Sequence, residues 1–204
     1  FVRSVDEHTG DVGRFLERVR EREPGRPLFV LGHSMGGLIV ALMLTSSEQG
    51  LRGAILSGAA LRATRTSSRL LERLLRFLGR FFPRLPLPKI KSADVSRDPA
   101  VVERYDSDPL VFRGSVPAGT ARAMIHGARA VVRDMESITL PILILHGSED
   151  GLVHPDGSRE LYERVASTDK ALKVYEGLYH EIMNEPEQEL VLGDILAWLD
   201  KRAT

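Results

Sequence analysis

The apolar run Leu28-Phe29-Val30-Leu31 leads straight into Gly32-His33-Ser34-Met35-Gly36-Gly37, and a second apolar run, Leu38 to Leu44, follows at once. A short apolar run that ends in Gly-x-Ser-x-Gly and opens a helix admits few backbones. The serine must sit on a sharp strand-to-helix turn, with its hydroxyl raised above the end of a sheet. Glycine at 32 and 36 would let strand and helix approach more closely than side chains allow. The pattern predicts a strained turn at Ser34, a buried helix behind it, and the N–H of Met35 as one donor to a developing oxyanion.

A glycine-rich turn can also bind nothing, so the flanks decide. Residues 4–23 read as a helix with Val12, Phe15, Leu16 and Val19 on one face, ended by Pro24, Gly25 and Pro27. Residues 28–31 and 51–56 read as strands, the second followed by Ser57-Gly58. Pro141 to Leu145 is a fully apolar strand that enters His146-Gly147-Ser148-Glu149-Asp150, and residues 158–166 follow as a helix. Residues 171–175 make a fourth strand that enters Gly177-Leu178-Tyr179-His180. The last helix spans 187–201, with Leu190, Ile195, Trp198 and Leu199 facing inward. Alternation of this kind predicts an α/β fold: a parallel sheet covered by helices on both faces. Functional groups in such sheets gather at the carboxyl ends of the strands, and Ser34, Asp150 and His180 each lie just past one. The stretch from 61 to 138 breaks the rhythm. It divides the chain into a core with the elbow (1–60), an inserted cap (61–138) and a core with the remaining polar groups (139–204).

Composition excludes several alternatives. With 28 basic and 28 acidic residues the net charge is zero, so the molecule has no overall field that would draw nucleic acid. Cysteine is absent, which removes disulfides, thiolate metal sites and cysteine nucleophiles together and suits a reducing, cytoplasmic setting. No apolar run is long enough to span a membrane, no signal peptide is visible, and no metal-ligating constellation stands out.

A serine hydroxyl needs a base within hydrogen-bond reach, and the base needs an acid to fix its tautomer. His8 falls in the first helix, His33 inside the elbow as a packing and hydrogen-bonding neighbour of Ser34, His126 in the cap, and His154 in a loop. His146 ends a strand but precedes the acid. His180 alone follows the last strand and the acid. Among Glu149, Asp150 and Asp156, Asp150 stands just beyond the strand, Glu149 would point away, and Asp156 is placed to cap a helix. Ser34, Asp150, His180 is the chain order of the α/β-hydrolase triad. Its chemistry requires no cofactor.

The chain resembles the monoacylglycerol lipase family of the α/β-hydrolase superfamily. The resemblance rests on Gly32 to Gly37, on Tyr105-Asp106-Ser107-Asp108-Pro109-Leu110, on Leu140-Pro141 through Gly147-Ser148-Glu149-Asp150, and on Tyr175-Glu176-Gly177-Leu178-Tyr179-His180-Glu181. It implies that Ser34 is the nucleophile, Asp150 the acid and His180 the base, and that a monoacylglycerol is the substrate. Lysophospholipases and small-peptide hydrolases share the fold and are the nearest alternatives, with a weak fragment or binding module as a third. A second oxyanion donor is usually marked by His-Gly after an earlier strand. Neither His126-Gly127 nor His146-Gly147 fits. The resemblance implies that strands carrying that loop precede Phe1, which would make this chain the carboxyl-terminal portion of a hydrolase.

The cap carries one more pattern. At 100° per residue, Leu70, Leu71, Leu74, Leu75, Phe77, Leu78, Phe81 and Phe82 fall within an arc of about 160°. Arg69, Glu72, Arg73, Arg76, Gly79 and Arg80 fall opposite. Arg62, Arg65, Arg84, Lys89 and Lys91 extend the basic run, and Pro83, Pro86 and Pro88 end the helix. A basic amphipathic helix suits an anionic membrane surface, giving peripheral contact through the cap. The same arc could instead pack on the core or line an acyl tunnel.

Overall fold

In the computed structural model, which describes residues 1–63 and 68–203, four parallel strands form one sheet. Arg65 of the basic run lies outside the described residues, as does the side chain of Arg69. The strands are β1 (Phe29–His33), β2 (Gly53–Ser57), β3 (Ile142–Gly147) and β4 (Lys170–Tyr175), hydrogen-bonded in that order. Around them lie α1 (Val5–Arg22), α2 (Met35–Leu44), α3 (Arg69–Phe81), α4 (Pro99–Ser107), α5 (Ala118–Asp134), α6 (Asp156–Arg164) and α7 (Gln188–Asp200). This is an α/β-hydrolase architecture.

The two-residue period of the strands sorts side chains between two cores. Ala54, Leu56, Ile142 and Ile144 point into a cluster filled by Leu16 of α1, Leu38 to Leu44 of α2, Ala123 and Val131 of α5, and Leu161 of α6. Ile55, Leu143, Leu145 and Tyr175 point the other way, onto Val191, Ile195 and Trp198 of α7. A strand covered on both faces must be apolar at every position, which is why Ile142 to Leu145 reads as an unbroken run.

Two residues expected to face inward do not. Phe15 is 66% exposed and Leu190 is 59% exposed. The buried line of α1 runs through Val5 and Leu16, and Phe15 stands one residue, about 100°, off Leu16. In α7 the buried line is Val191, Ile195 and Trp198, at spacings of four and three, and Leu190 again falls one residue off it. Asp156 does not cap α6: Pro155 holds the N-cap position, and the Asp156 carboxylate pairs with Arg159 at 3.2 Å.

The helix expected over residues 69–82 forms as α3, with the Ser68 hydroxyl accepting the Leu71 N–H at its start. It packs on α5, where a Cβ at Gly79 would lie 2.5 Å from the Ala118 carbonyl oxygen. The apolar arc splits at this contact. Leu75 and Leu78 are half-buried, while Leu70, Leu74, Phe77 and Phe81 are turned to solvent. The Asp106-Ser107-Asp108-Pro109 segment ends α4, and the Asp108 carboxylate accepts the Leu110 N–H in an Asx turn.

Candidate active site

Ser34 joins β1 to α2 with φ +54° and ψ −119°, the one non-glycine residue with positive φ among those described. Holding such a backbone costs about 1–3 kcal/mol. The turn is pinned on both sides: the Ser34 N–H donates to the Ser57 carbonyl at 2.9 Å, and the Ser34 carbonyl accepts from Leu38 at 3.1 Å and from Ala60 at 3.0 Å. Glycine is required at 32, where a Cβ would meet the Gly36 carbonyl oxygen at 2.6 Å. The second close approach falls at Gly37, where a Cβ would meet that of Ala59 at 2.8 Å; at Gly36 it would meet nothing within 4 Å. The expectation for position 36 is therefore corrected by one residue, because the first turn of α2 leans on the loop after β2. Met35 opens α2, so no preceding turn supplies an acceptor for its N–H.

His180 follows β4 and reaches back to the elbow. Its Nε2 lies 2.8 Å from Ser34 Oγ, and its Nδ1 lies 2.7 Å from Asp150 Oδ2. Carboxylate oxygen only accepts, so Nδ1 carries the proton and Nε2 is left to accept from the serine hydroxyl. Asp150 is oriented by its own loop, since Oδ1 accepts the N–H of Leu152 at 2.8 Å and of Val153 at 2.9 Å. Burial pushes the Asp150 pKa up. Hydrogen bonds from His146 and His180, the His180 charge and the Val153 N–H outweigh it and hold the carboxyl well below the usual carboxylate range.

Two further histidines stand at this centre. His33 packs against His180 with ring centroids 4.7 Å apart and planes tilted by 47°, and its Nδ1 faces Ser57 Oγ at 3.2 Å. Burial, then the neighbouring His180, lowers the His33 pKa to about 4. The His33 ring meets His180 and Ser57 rather than hydrogen-bonding Ser34 as the sequence predicts, because it leaves the strand toward β2. His146, fully buried, is a partner of Asp150, a place its sequence position does not suggest. The loop after His180 is tied down as well. The Glu181 N–H donates to the Val95 carbonyl at 2.9 Å, and the buried Glu185 carboxylate accepts from the Arg97 N–H at 2.9 Å and Nε at 2.8 Å.

A family model, serine aminopeptidase S33, matches residues 1–187. The chain belongs to the serine aminopeptidase S33 family. A monoacylglycerol lipase of Mycolicibacterium smegmatis is 41% identical over 199 residues, covering 94% of this chain and 71% of the relative. A monoglyceride lipase of Mus musculus is 35% identical over 205 residues, covering 99% of this chain and 65% of the relative. The crystal structure of a Paleococcus ferrophilus monoacylglycerol lipase superposes with a TM-score of 0.87 at 29% identity, over 98% of this chain and 76% of that one. The chain thus spans about two thirds of the length of these curated relatives.

Ser34, Asp150 and His180, each just past the end of a strand, lie in one hydrogen-bonded line. The other histidines lie elsewhere or make other contacts. His8 faces Asp11 on α1, His126 is on α5, and the His154 ring accepts the Asp156 N–H. Glu149 is exposed, as expected for a residue pointing away.

Proposed function

We propose that the protein hydrolyses monoacylglycerols to glycerol and free fatty acid through an acyl-enzyme, with Ser34 as nucleophile, His180 as base and Asp150 as acid. The observation that carries this reading is the continuous line from Ser34 Oγ through His180 to Asp150, at 2.8 and 2.7 Å, in a chain 41% identical to a monoacylglycerol lipase. Ser34 Oγ attacks the ester carbonyl while its proton passes to His180 Nε2. Asp150 holds the ring and stabilises the imidazolium. The oxyanion is taken by the Met35 N–H at the positive end of α2. His180 then gives its proton to the departing glycerol oxygen, and water attacks the acyl-serine by the same route. A panel of monoacylglycerol, lysophospholipid and aminoacyl anilide tests the substrate class. Faster turnover of the lysophospholipid or the anilide than of the monoacylglycerol would replace this reading by one of its rivals.

The segment 61–138 is assigned as the cap, and α3 as its contact with a lipid surface. Phe77 and Phe81 line one pocket together with Arg73, Arg76, Arg80, Arg122 and His126. Burial, then the charges of Arg122, Arg76 and Arg129, lowers the His126 pKa, a sign of the positive field there. Exposed apolar rings beside unbalanced arginines match the layering of an anionic membrane, hydrocarbon next to phosphate. No helix among the described residues is long and apolar enough to cross a membrane, so contact would be peripheral. Each basic residue near such a surface is worth about 1 kcal/mol, so Arg73→Glu, Arg76→Glu and Arg80→Glu together should cost at least about a hundredfold in affinity. Co-sedimentation with phosphatidylserine vesicles measures this. Turnover of a soluble short-chain ester should barely change, and unaltered vesicle binding would leave α3 as a packing element or tunnel wall.

A further inference from the structure

We propose that His146 is a positioning residue for ester hydrolysis, acting through Asp150 to set both the aim and the basicity of His180. The proposal rests on the reading of Ser34, Asp150 and His180 as the reacting relay.

His146 lies near the carboxyl end of β3, opposite Val174 of β4, and is fully buried. Its Nε2 is 3.1 Å from Asp150 Oδ2 and 3.1 Å from the Val153 carbonyl oxygen. Both partners only accept, so Nε2 carries a proton shared between them. Its Nδ1 is 2.7 Å from Ser158 Oγ, whose hydroxyl donates to it. Ser158 is itself fully buried in α6. Each ring nitrogen has a partner, so a flipped ring would place carbon against three polar atoms.

The consequence falls on Asp150. Two backbone N–H groups, of Leu152 and Val153, hold Oδ1, and two imidazoles, of His146 and His180, share Oδ2. A carboxylate offers about four acceptor sites, and these four donors fill them. Without His146 one side of Oδ2 would face a dry wall unpaired, a costly state for a buried charge. Oδ2 would also concentrate its charge on His180 Nδ1. The histidine N–H therefore does two things. It fixes the carboxylate so that Oδ2 points at His180, and it draws charge from Oδ2 so that His180 is not held too firmly as imidazolium. Among the described residues, the titratable groups that face the Asp150–His180 pair are His33 from β1 and His146 from β3. His33, with its pKa lowered to about 4, stays neutral through the working range.

The test is the pH profile of kcat/KM on a soluble p-nitrophenyl ester for the intact protein, His146→Leu and His146→Gln. Leucine removes the donor, while glutamine keeps an N–H near the place of Nε2. His146→Leu should lose roughly ten- to a hundredfold in kcat/KM, the scale of a misaligned catalytic group. Its acid limb should move up by roughly half to one pH unit, since His180 gains a more basic partner. His146→Gln should return to within about threefold, with the limb restored. A wild-type profile in His146→Leu overturns the proposal. So does equal loss in both variants with the limb unmoved, because a ring that only fills space would behave that way. If His146→Leu does not fold, Ser158→Ala carries the test: loss of the hydroxyl that holds the ring should move the same limb in the same direction by a smaller amount, and an unmoved limb overturns the proposal. Fluorophosphonate labelling of the unsubstituted protein separates the two readings. An unreactive protein overturns the hydrolase relay itself, whereas a reactive one with a wild-type His146→Leu profile overturns only the role of His146.

Discussion

Replacing Ser34 by Ala should lower ester turnover by roughly four to six powers of ten, because the relay loses its only attacking atom. His180→Ala should be nearly as severe. The double variant should be no worse than the worse single one, since base and nucleophile act as a unit. His33 cannot take over as the base: its pKa is lowered to about 4, and its Nδ1 faces Ser57 rather than Ser34. The fold should survive both changes, but stability should respond to what is put at position 34. Ser34→Ala keeps the positive φ of +54° and its strain. Ser34→Gly relieves it, and should unfold at higher urea, with a gain of about 1 kcal/mol, while being equally inactive. Steady-state rates and urea titrations of the three variants measure both effects. Appreciable turnover in Ser34→Ala would remove the mechanism, and equal stability of the alanine and glycine variants would remove the claim of strain.

The elements that could be read from sequence are those with one dominant cause. Leu143 and Leu145 face α7 while Ile142 and Ile144 face α2, so every position of β3 had to be apolar and the run was unmistakable. The elbow was equally legible, because few other backbones fit a Gly-x-Ser-x-Gly turn between a strand and a helix. Errors of one residue, at Phe15, at Leu190 and at Gly36 against Gly37, came where a step of about 100° on a helix decides which side chain meets a neighbour. The partner, not the helix, makes that choice. His146 was illegible for a different reason. Its part depends on the loop 147–153 curling back so that Asp150 and Val153 both meet one imidazole N–H, and spacing alone does not say that a chain curls. The split arc of α3 is a third kind of case. Periodicity groups Leu75 and Leu78 with Leu70, Leu74, Phe77 and Phe81, but only the packing on α5 shows that the first two are half-buried and the others exposed.

Gly147→Ala should be the most damaging substitution away from the three relay residues. Gly147 ends β3 under the loop that carries His180. A Cβ there would lie 2.2 Å from the Tyr179 carbonyl oxygen and 2.3 Å from that of Leu178. These are backbone atoms, so no rotamer change relieves the clash, and one loop must move by about 1 Å to reach ordinary contact distance. The two loops are laced together at this point: Ser148 N–H to the Tyr175 carbonyl at 2.8 Å, Glu149 N–H to Leu178 at 3.0 Å, and Gly177 N–H to Ser148 Oγ at 2.8 Å. Prising them apart separates Asp150 from His180, whose hydrogen bond is 2.7 Å. A misplacement of about 1 Å at a catalytic group costs on the order of a hundredfold in rate, and overpacking of this kind costs about 1–3 kcal/mol of stability. Gly13→Ala is the control, since a Cβ at Gly13, inside α1, meets nothing within 4 Å. It should raise stability by up to about 1 kcal/mol and leave turnover alone. Urea midpoints and kcat/KM on a soluble ester measure both variants. If Gly147→Ala kept wild-type turnover, the loops carrying Asp150 and His180 would not be held by their close approach at this glycine, and their alignment would have to come from the ties at Val95 and Arg97 instead.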